Sequence, residues 1–139
     1  MNPKQWLWGV VLLASGCSGA APIVPVSGRV TLDGRPLRKA LIQFMPVARP
    51  NSIEAPGPGS TGVTDDDGRY TLTTIGSSAK GAVVGDHIVA IYTVFGPVQR
   101  SDAGGGREIL PARYHAATEL KFTVKPGAAN EANWELTSQ

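Results

Sequence analysis

The chain has one cysteine, and its surroundings say what the thiol is for. Cys17 ends the stretch Leu12-Leu13-Ala14-Ser15-Gly16-Cys17. A single cysteine forms no internal disulfide. The segment before it has the three parts of a secretory signal. Lys4 and the free amine make the positive end, and Trp6 to Leu13 make the apolar run. Ala14, Ser15 and Gly16 are the small residues a signal peptidase pocket accepts. The apolar run falls well short of the ~20 residues a spanning helix needs. A thiol at this junction suits lipid attachment. Cleavage between Gly16 and Cys17 then makes Cys17 the new N-terminus, and the rest becomes a tethered domain.

Ser15-Gly16-Cys17 resembles the end of a bacterial lipobox, whose usual form is Leu-(Ala/Ser)-(Gly/Ala)-Cys. Ala14 stands where the lipobox prefers leucine, and Leu13 lies one step further out. The resemblance implies a diacylglyceryl thioether on Cys17 and acylation of the new amine. One acyl chain holds a protein only marginally at a membrane, whereas two or more hold it firmly. Ser18 follows the cysteine where aspartate would signal inner-membrane retention, which implies an outer-membrane location. The expected organisation is a signal over 1–16, a short tether over 17–25 and a domain over 26–139. The alternative is an ordinary signal cut near Ala20-Ala21, which discards Cys17.

The 139 residues suffice for one domain with a core that needs no disulfides. Lys+Arg number 13 against 11 Asp+Glu, and removal of Lys4 narrows even that excess. Nucleic acid is therefore not expected as a partner, because phosphate neutralisation needs clustered positive charge. An apolar share of 42% is too high for wholesale disorder. Gly 17 and Pro 11 mark a turn-rich chain.

The elements that would position any site have a period of two. Val26, Gly28, Val30 and Leu32 alternate with Ser27, Arg29 and Thr31, which predicts a half-buried strand. Ala40 to Met45 is more evenly apolar and reads as a strand covered on both faces. Val47 to Ser60 holds three prolines and two glycines, so it predicts a long surface loop. Thr61–Thr64 and Arg69–Thr73 flank Asp65-Asp66-Asp67-Gly68 and predict a hairpin. His87–Val94 is rich in β-branched residues and predicts a strand. Leu110–Tyr114 reads as a short extended piece. Leu120, Phe122 and Val124, then Ala132, Trp134 and Leu136, alternate with polar neighbours. About seven short strands predict an all-β, antiparallel Greek-key β-sandwich.

In their order these pieces resemble a carboxypeptidase-regulatory-like domain of the transthyretin (prealbumin-like) type, over roughly Val26 to Leu136. Four stretches bear the resemblance. They are Val26–Leu37, Ala40–Phe44, the Thr61–Leu72 hairpin and Gly85–Ile91. Leu110-Pro111-Ala112-Arg113-Tyr114 and Phe122–Gly127 are similar to a subgroup of small bacterial lipoproteins built from this one domain. The resemblance implies a non-catalytic module, and a fold does not by itself supply a function.

Several groups could still hold chemistry. Asp65-Asp66-Asp67 offers carboxylates to calcium, but an EF-hand loop spaces its oxygens over about twelve residues and closes on glutamate. Arg69 and Tyr70 follow instead, and Asp with Gly is what a tight turn demands. Intradiol dioxygenases, on a related sandwich, bind iron through two tyrosines and two histidines, and this chain has Tyr92, Tyr114, His87 and His115. His87 falls where the family places an inward aromatic, so a core role is expected. Hydroxyisourate hydrolases share the fold and end in Tyr-Arg-Gly-Ser, whereas this chain ends in Leu-Thr-Ser-Gln. Gly104-Gly105-Gly106 lacks the Lys-Ser/Thr of a phosphate loop. Arg29, Arg35, Arg38 and Lys39 read as a solvated hairpin end rather than a patch for anionic polymers. No catalytic set, metal or cofactor is assigned. Arg113, Tyr114 and His115 are the surface candidates, and the loops Val47–Ser60 and Phe95–Glu108 are the expected working surfaces. The expected function is a non-enzymatic, lipid-anchored envelope module, with an envelope protein or a polysaccharide as partner. A carbohydrate-binding accessory domain is the alternative, favoured by an exposed Trp134 or Tyr114. An enzyme with an unrecognised loop site is the third.

Overall fold

A computed structural model describes residues 20–93 and 107–139. Gly16, Cys17 and most of the Phe95–Glu108 loop lie outside the described residues. Among the described residues there are twelve short strands, and helix is confined to one 3-10 turn. One sheet has the order β10 (Lys121–Val124), β9 (Gly85–Tyr92), β4 (Leu41–Pro46), β5 (Ser60–Val63), β7 (Thr73–Thr74), all antiparallel. The second is built on β2 (Val26–Leu32). On one side β2 pairs with β3 (Arg35–Pro36) and β6 (Arg69–Thr71), and on the other with β11 (Asn130–Glu131) and β12 (Trp134–Leu136). A two-stranded ribbon joins β1 (Ile23–Val24) to β8 (Ala82–Val83).

The two sheets bury their apolar faces on one another. Ile42, Phe44, Val89 and Ile91 come from the first, and Val26, Val30, Tyr70 and Leu136 from the second. The expected period-two patterning is therefore real, and the protein is an all-β sandwich.

Four details differ from the expectation. β11 and β12 run parallel to β2, because the chain crosses the sandwich before closing it. β4 buries Ile42 and Phe44 completely, while Leu41, Gln43 and Met45 stay half-exposed, so only one face is covered. The hairpin around Asp65 parts at its arms: β5 stays with β4, and β6 pairs with β2. Gly62 marks the crossing, where an added Cβ would lie 2.6 Å from the Thr71 carbonyl oxygen. Leu110–Tyr114 is not extended. Pro111 opens a 3-10 turn over Ala112–Tyr114, and the Tyr114 N–H donates to the Pro111 carbonyl at 3.0 Å. In addition, the last tether residues are already sheet, with Ile23 opposite Val83.

The registers give the sandwich two distinct ends. Pro46 lies opposite His87, Ser60 opposite Thr74, and Val124 opposite Gly85. The entering chain, the 47–59 loop and the 75–81 link therefore share one end. Leu41 lies opposite both Val63 and Tyr92. The Asp65–Gly68 turn and the start of the 107–118 segment share the other.

Candidate functional site

The Asp65–Gly68 segment is a turn, as its composition predicts. Asp65 Oδ1 accepts from the N–H groups of Asp67 and Arg69, both at 2.9 Å. The Gly68 N–H donates to the Asp65 carbonyl at 3.0 Å, with Gly68 at φ +75°. The carboxylate that could lead a calcium loop is thus engaged by the backbone.

Arg113, Tyr114 and His115 do not form an open site. Tyr114 is buried, and its hydroxyl accepts from the Thr137 N–H at 3.1 Å. Hydrogen bonding to Thr137 favours its phenolate and lowers its pKa. The Arg113 guanidinium lies over the Tyr114 ring and donates to the Thr137 carbonyl, the Thr137 hydroxyl and Gln139. The His115 ring bonds to the Leu110 carbonyl through Nε2 and lies 5.5 Å from the Tyr92 ring. Arg113 and Tyr114 latch the C-terminal residues to the 3-10 turn, and His115 ties the turn back to Leu110 and β9.

The two histidines and two tyrosines do not converge. His87 and Tyr92 sit near opposite ends of β9, five residues and ~17 Å apart. His87 is 1% exposed and its ring lies 5.6 Å from that of Phe44, so the expected core role is what the structure shows. Its Nδ1 bonds to the Gly85 carbonyl at 3.0 Å, which makes Nδ1 the protonated nitrogen. Nε2 is left buried with no partner. Burial lowers the pKa, outweighing the opposing pull of the Gly85 carbonyl and Asp86.

A polar groove of about 530 Å³ runs along the second sheet. Alternation along β2 sends Val26 and Val30 inward and Ser27 and Arg29 outward. β6 adds Arg69 and Thr71 in register, Arg69 opposite Arg29 and Thr71 opposite Ser27. β11 and β12 contribute Glu131 and Glu135. Between them the ladder is interrupted, and Asn133 fills the gap. Its Oδ1 accepts the Arg29 N–H at 2.9 Å, and its Nδ2 donates to Glu131 at 2.8 Å.

The groove floor depends on one missing side chain. A Cβ on Gly28 would lie 1.8 Å from the Ala132 carbonyl oxygen and 3.1 Å from the Tyr70 ring. Without it, the Tyr70 hydroxyl donates to that carbonyl at 2.6 Å and accepts from Trp134 Nε1 at 3.1 Å. Burial pushes the Tyr70 pKa far above the ordinary phenol value, so the hydroxyl stays neutral. Trp134 is half-buried, with its ring edge-on to Phe122, and still lines the groove. Arg29 is fixed by donation from Nε to the Asp67 carbonyl at 2.9 Å. Of the expected basic cluster, only Arg29 belongs to this surface. Two like charges opposite each other on paired strands are unfavourable alone. Glu131 and Glu135 line the same groove and bring the opposite charge to it.

Sequence reasoning singled out Trp134 and Arg29 separately but not the groove. The available signal was Gly28, a glycine inside an alternating strand, which marks close backbone approach.

No family model matches this sequence, and no curated protein matches it. Among solved structures, the chain is similar to a DUF3823 family protein from Parabacteroides merdae, at 17% identity and a TM-score of 0.41. The match covers 84% of this chain and 46% of the other, so this chain spans less than half the length of that structure.

Proposed function

We propose that this chain is a lipid-anchored, non-enzymatic β-sandwich of the cell envelope, of the carboxypeptidase-regulatory-like type, and that it works as a binding module. Cys17 is the attachment point and the membrane its constant partner. The observation that carries the binding reading is the groove between β6 and β12. It presents guanidinium donors from Arg29 and Arg69, carboxylate acceptors from Glu131 and Glu135, and the edge of an indole. Convergent polar groups around one aromatic are what a ligand site needs for orientation and contact area.

A polysaccharide ligand is favoured by the same set. Sugar hydroxyls both donate and accept, so a groove holding both kinds of group suits them. Trp134 supplies an apolar edge, whereas buried Tyr114 supplies none. An envelope protein is the other occupant.

Removal of residues 1–16 also removes Trp6 and Trp8, leaving Trp134 as the sole tryptophan. Its fluorescence therefore reports this groove alone. Envelope polysaccharide fragments should change that emission saturably, and Arg69→Ala should weaken binding by about tenfold, the loss of one charge-assisted contact. A glycan array without hits would refute the polysaccharide reading. A photo-crosslinker at Thr71 should capture an envelope protein if that is the partner. Silence in both assays would refute the binding module. A palmitate analogue should label the chain, and labelling that survives Cys17→Ala would refute the anchor.

A further inference from the structure

The end of the sandwich where the chain enters has an apolar character that the groove does not share. Seven large hydrophobic residues are exposed among the described residues, and four gather at this end: Ile23, Val47, Ile53 and Ile75. Ile53 is at 104% exposure, a side chain held wholly in solvent at the tip of the 47–59 loop. The other three range from 38% to 51%. Isolated exposed apolar residues need no explanation, but a cluster at one end marks an interaction surface.

The loop is constrained at its base. Pro50, Pro56 and Pro58 fix their own φ angles. The Val47 N–H donates to the Asp86 carbonyl at 2.8 Å, and the Ile75 N–H donates to the Gly59 carbonyl at 2.9 Å. Both feet of the loop are thereby tied to the sheet. Beneath it lies a cleft of about 1000 Å³ shared with the first described residues, Ala20 to Ile23.

Distance then selects the occupant. Three peptide units separate Cys17 from Ala20, and each spans at most ~3.6 Å, so a lipid on Cys17 enters the bilayer within ~11 Å of this cleft. Arg49, Lys80 and Lys125 against Glu54 and Asp86 leave the end without a net negative charge to repel headgroups. The opposite end sets Asp65, Asp66 and Asp67 beside Arg35, Arg38 and Lys39, so the exposed apolar residues and the tether, not charge, distinguish the two ends.

We infer that the 47–59 loop docks on the lipid surface beside the anchor, with Ile53 inserted into the interfacial region. The domain is thereby held upright, with the Asp65–Gly68 end pointing away from the membrane. This rests on lipidation of Cys17. A short tether alone would let the domain tumble, whereas a second contact point fixes which surfaces face outward.

The test uses the mature, lipidated protein. Lipid on Cys17 blocks the only native thiol, so Ile53→Cys and Asp66→Cys each give one labelling site. An environment-sensitive dye is attached to each, and the proteins are reconstituted into phosphatidylethanolamine–phosphatidylglycerol vesicles carrying nitroxide-labelled acyl chains. Mass measurement reads the lipid on Cys17 separately. The dye at position 53 should shift to the blue and be quenched at least about twofold more than the dye at position 66, as interfacial insertion of an apolar side chain requires. Equal quenching on a lipidated chain would overturn the docking and leave the anchor standing. An unmodified Cys17 would overturn both.

Discussion

Replacing Tyr70 with phenylalanine removes one oxygen atom from the floor of the groove. That oxygen donates to the Ala132 carbonyl at 2.6 Å and accepts from Trp134 Nε1 at 3.1 Å. Two hydrogen bonds are lost, each with a net worth of about 1 kcal/mol. Ala132 is 2% exposed, so its carbonyl loses a partner where water does not readily replace it. Relief from burying the hydroxyl offsets part of this. The expected cost is about 2–3 kcal/mol, or roughly 6–12 °C in melting temperature for a domain of this size. Urea melts followed by far-ultraviolet circular dichroism measure it. Trp134→Phe loses the same indole bond, along with some packing on Phe122. The double variant should therefore cost about 1 kcal/mol less than the two singles added together. A Tyr70→Phe cost below about 0.5 kcal/mol, or strict additivity in the cycle, would refute the buried triad of carbonyl, phenol and indole.

Two further predictions concern backbone and charge. Gly34 and Gly68 both have positive φ, but a Cβ at Gly34 meets nothing within 4 Å, whereas one at Gly68 lies 2.4 Å from the Val30 carbonyl oxygen. Gly34→Ala should cost about 1 kcal/mol and Gly68→Ala about 2–4 kcal/mol in urea melts, and equal costs would show that the crowding is relieved without penalty. Burial holds His87 neutral in the folded protein, so its pKa is lower there than in the unfolded chain. The unfolded state then binds the extra proton first. This contribution to stability is complete above about pH 6.5 and is lost as the pH falls through the depressed folded value. Urea midpoints between pH 8 and pH 5 should fall for the native chain and flatten in His87→Phe, and identical slopes would locate the titrating group elsewhere.

What the sequence discloses is governed by how far apart the interacting residues are. Alternation placed Val26, Val30, Phe122 and Leu136 on the right faces, because facing depends only on the strand itself. The Asp65–Gly68 turn was equally legible, since Asp65 Oδ1 bonds no further than four residues on. The inward position of His87 came from the resemblance, which places an inward aromatic there, and the structure buries it. Alternation does not say which strand lies alongside, so the parallel pairing of β12 with β2, 104 residues apart at Trp134 and Val30, was not accessible. Arg113 and Tyr114 looked like surface chemistry because their partners, Thr137 and Gln139, are more than twenty residues away and have no recognisable pattern.

The groove is the extreme case. Arg29, Arg69 and Trp134 come from three separate parts of the chain. What brings them together is the absence of a side chain at Gly28, which admits the Tyr70 hydroxyl and the Ala132 carbonyl to one point. A glycine within a strand pattern is thus better evidence of a site here than the charged run Arg35 to Lys39, whose exposed members need no partner. The same holds at Gly62, where β5 of the first sheet passes close to β6 of the second. Both glycines mark points where backbone crosses backbone. Such crossings carry Arg69 and Tyr70 from the Asp65–Gly68 turn to the wall and floor of the groove.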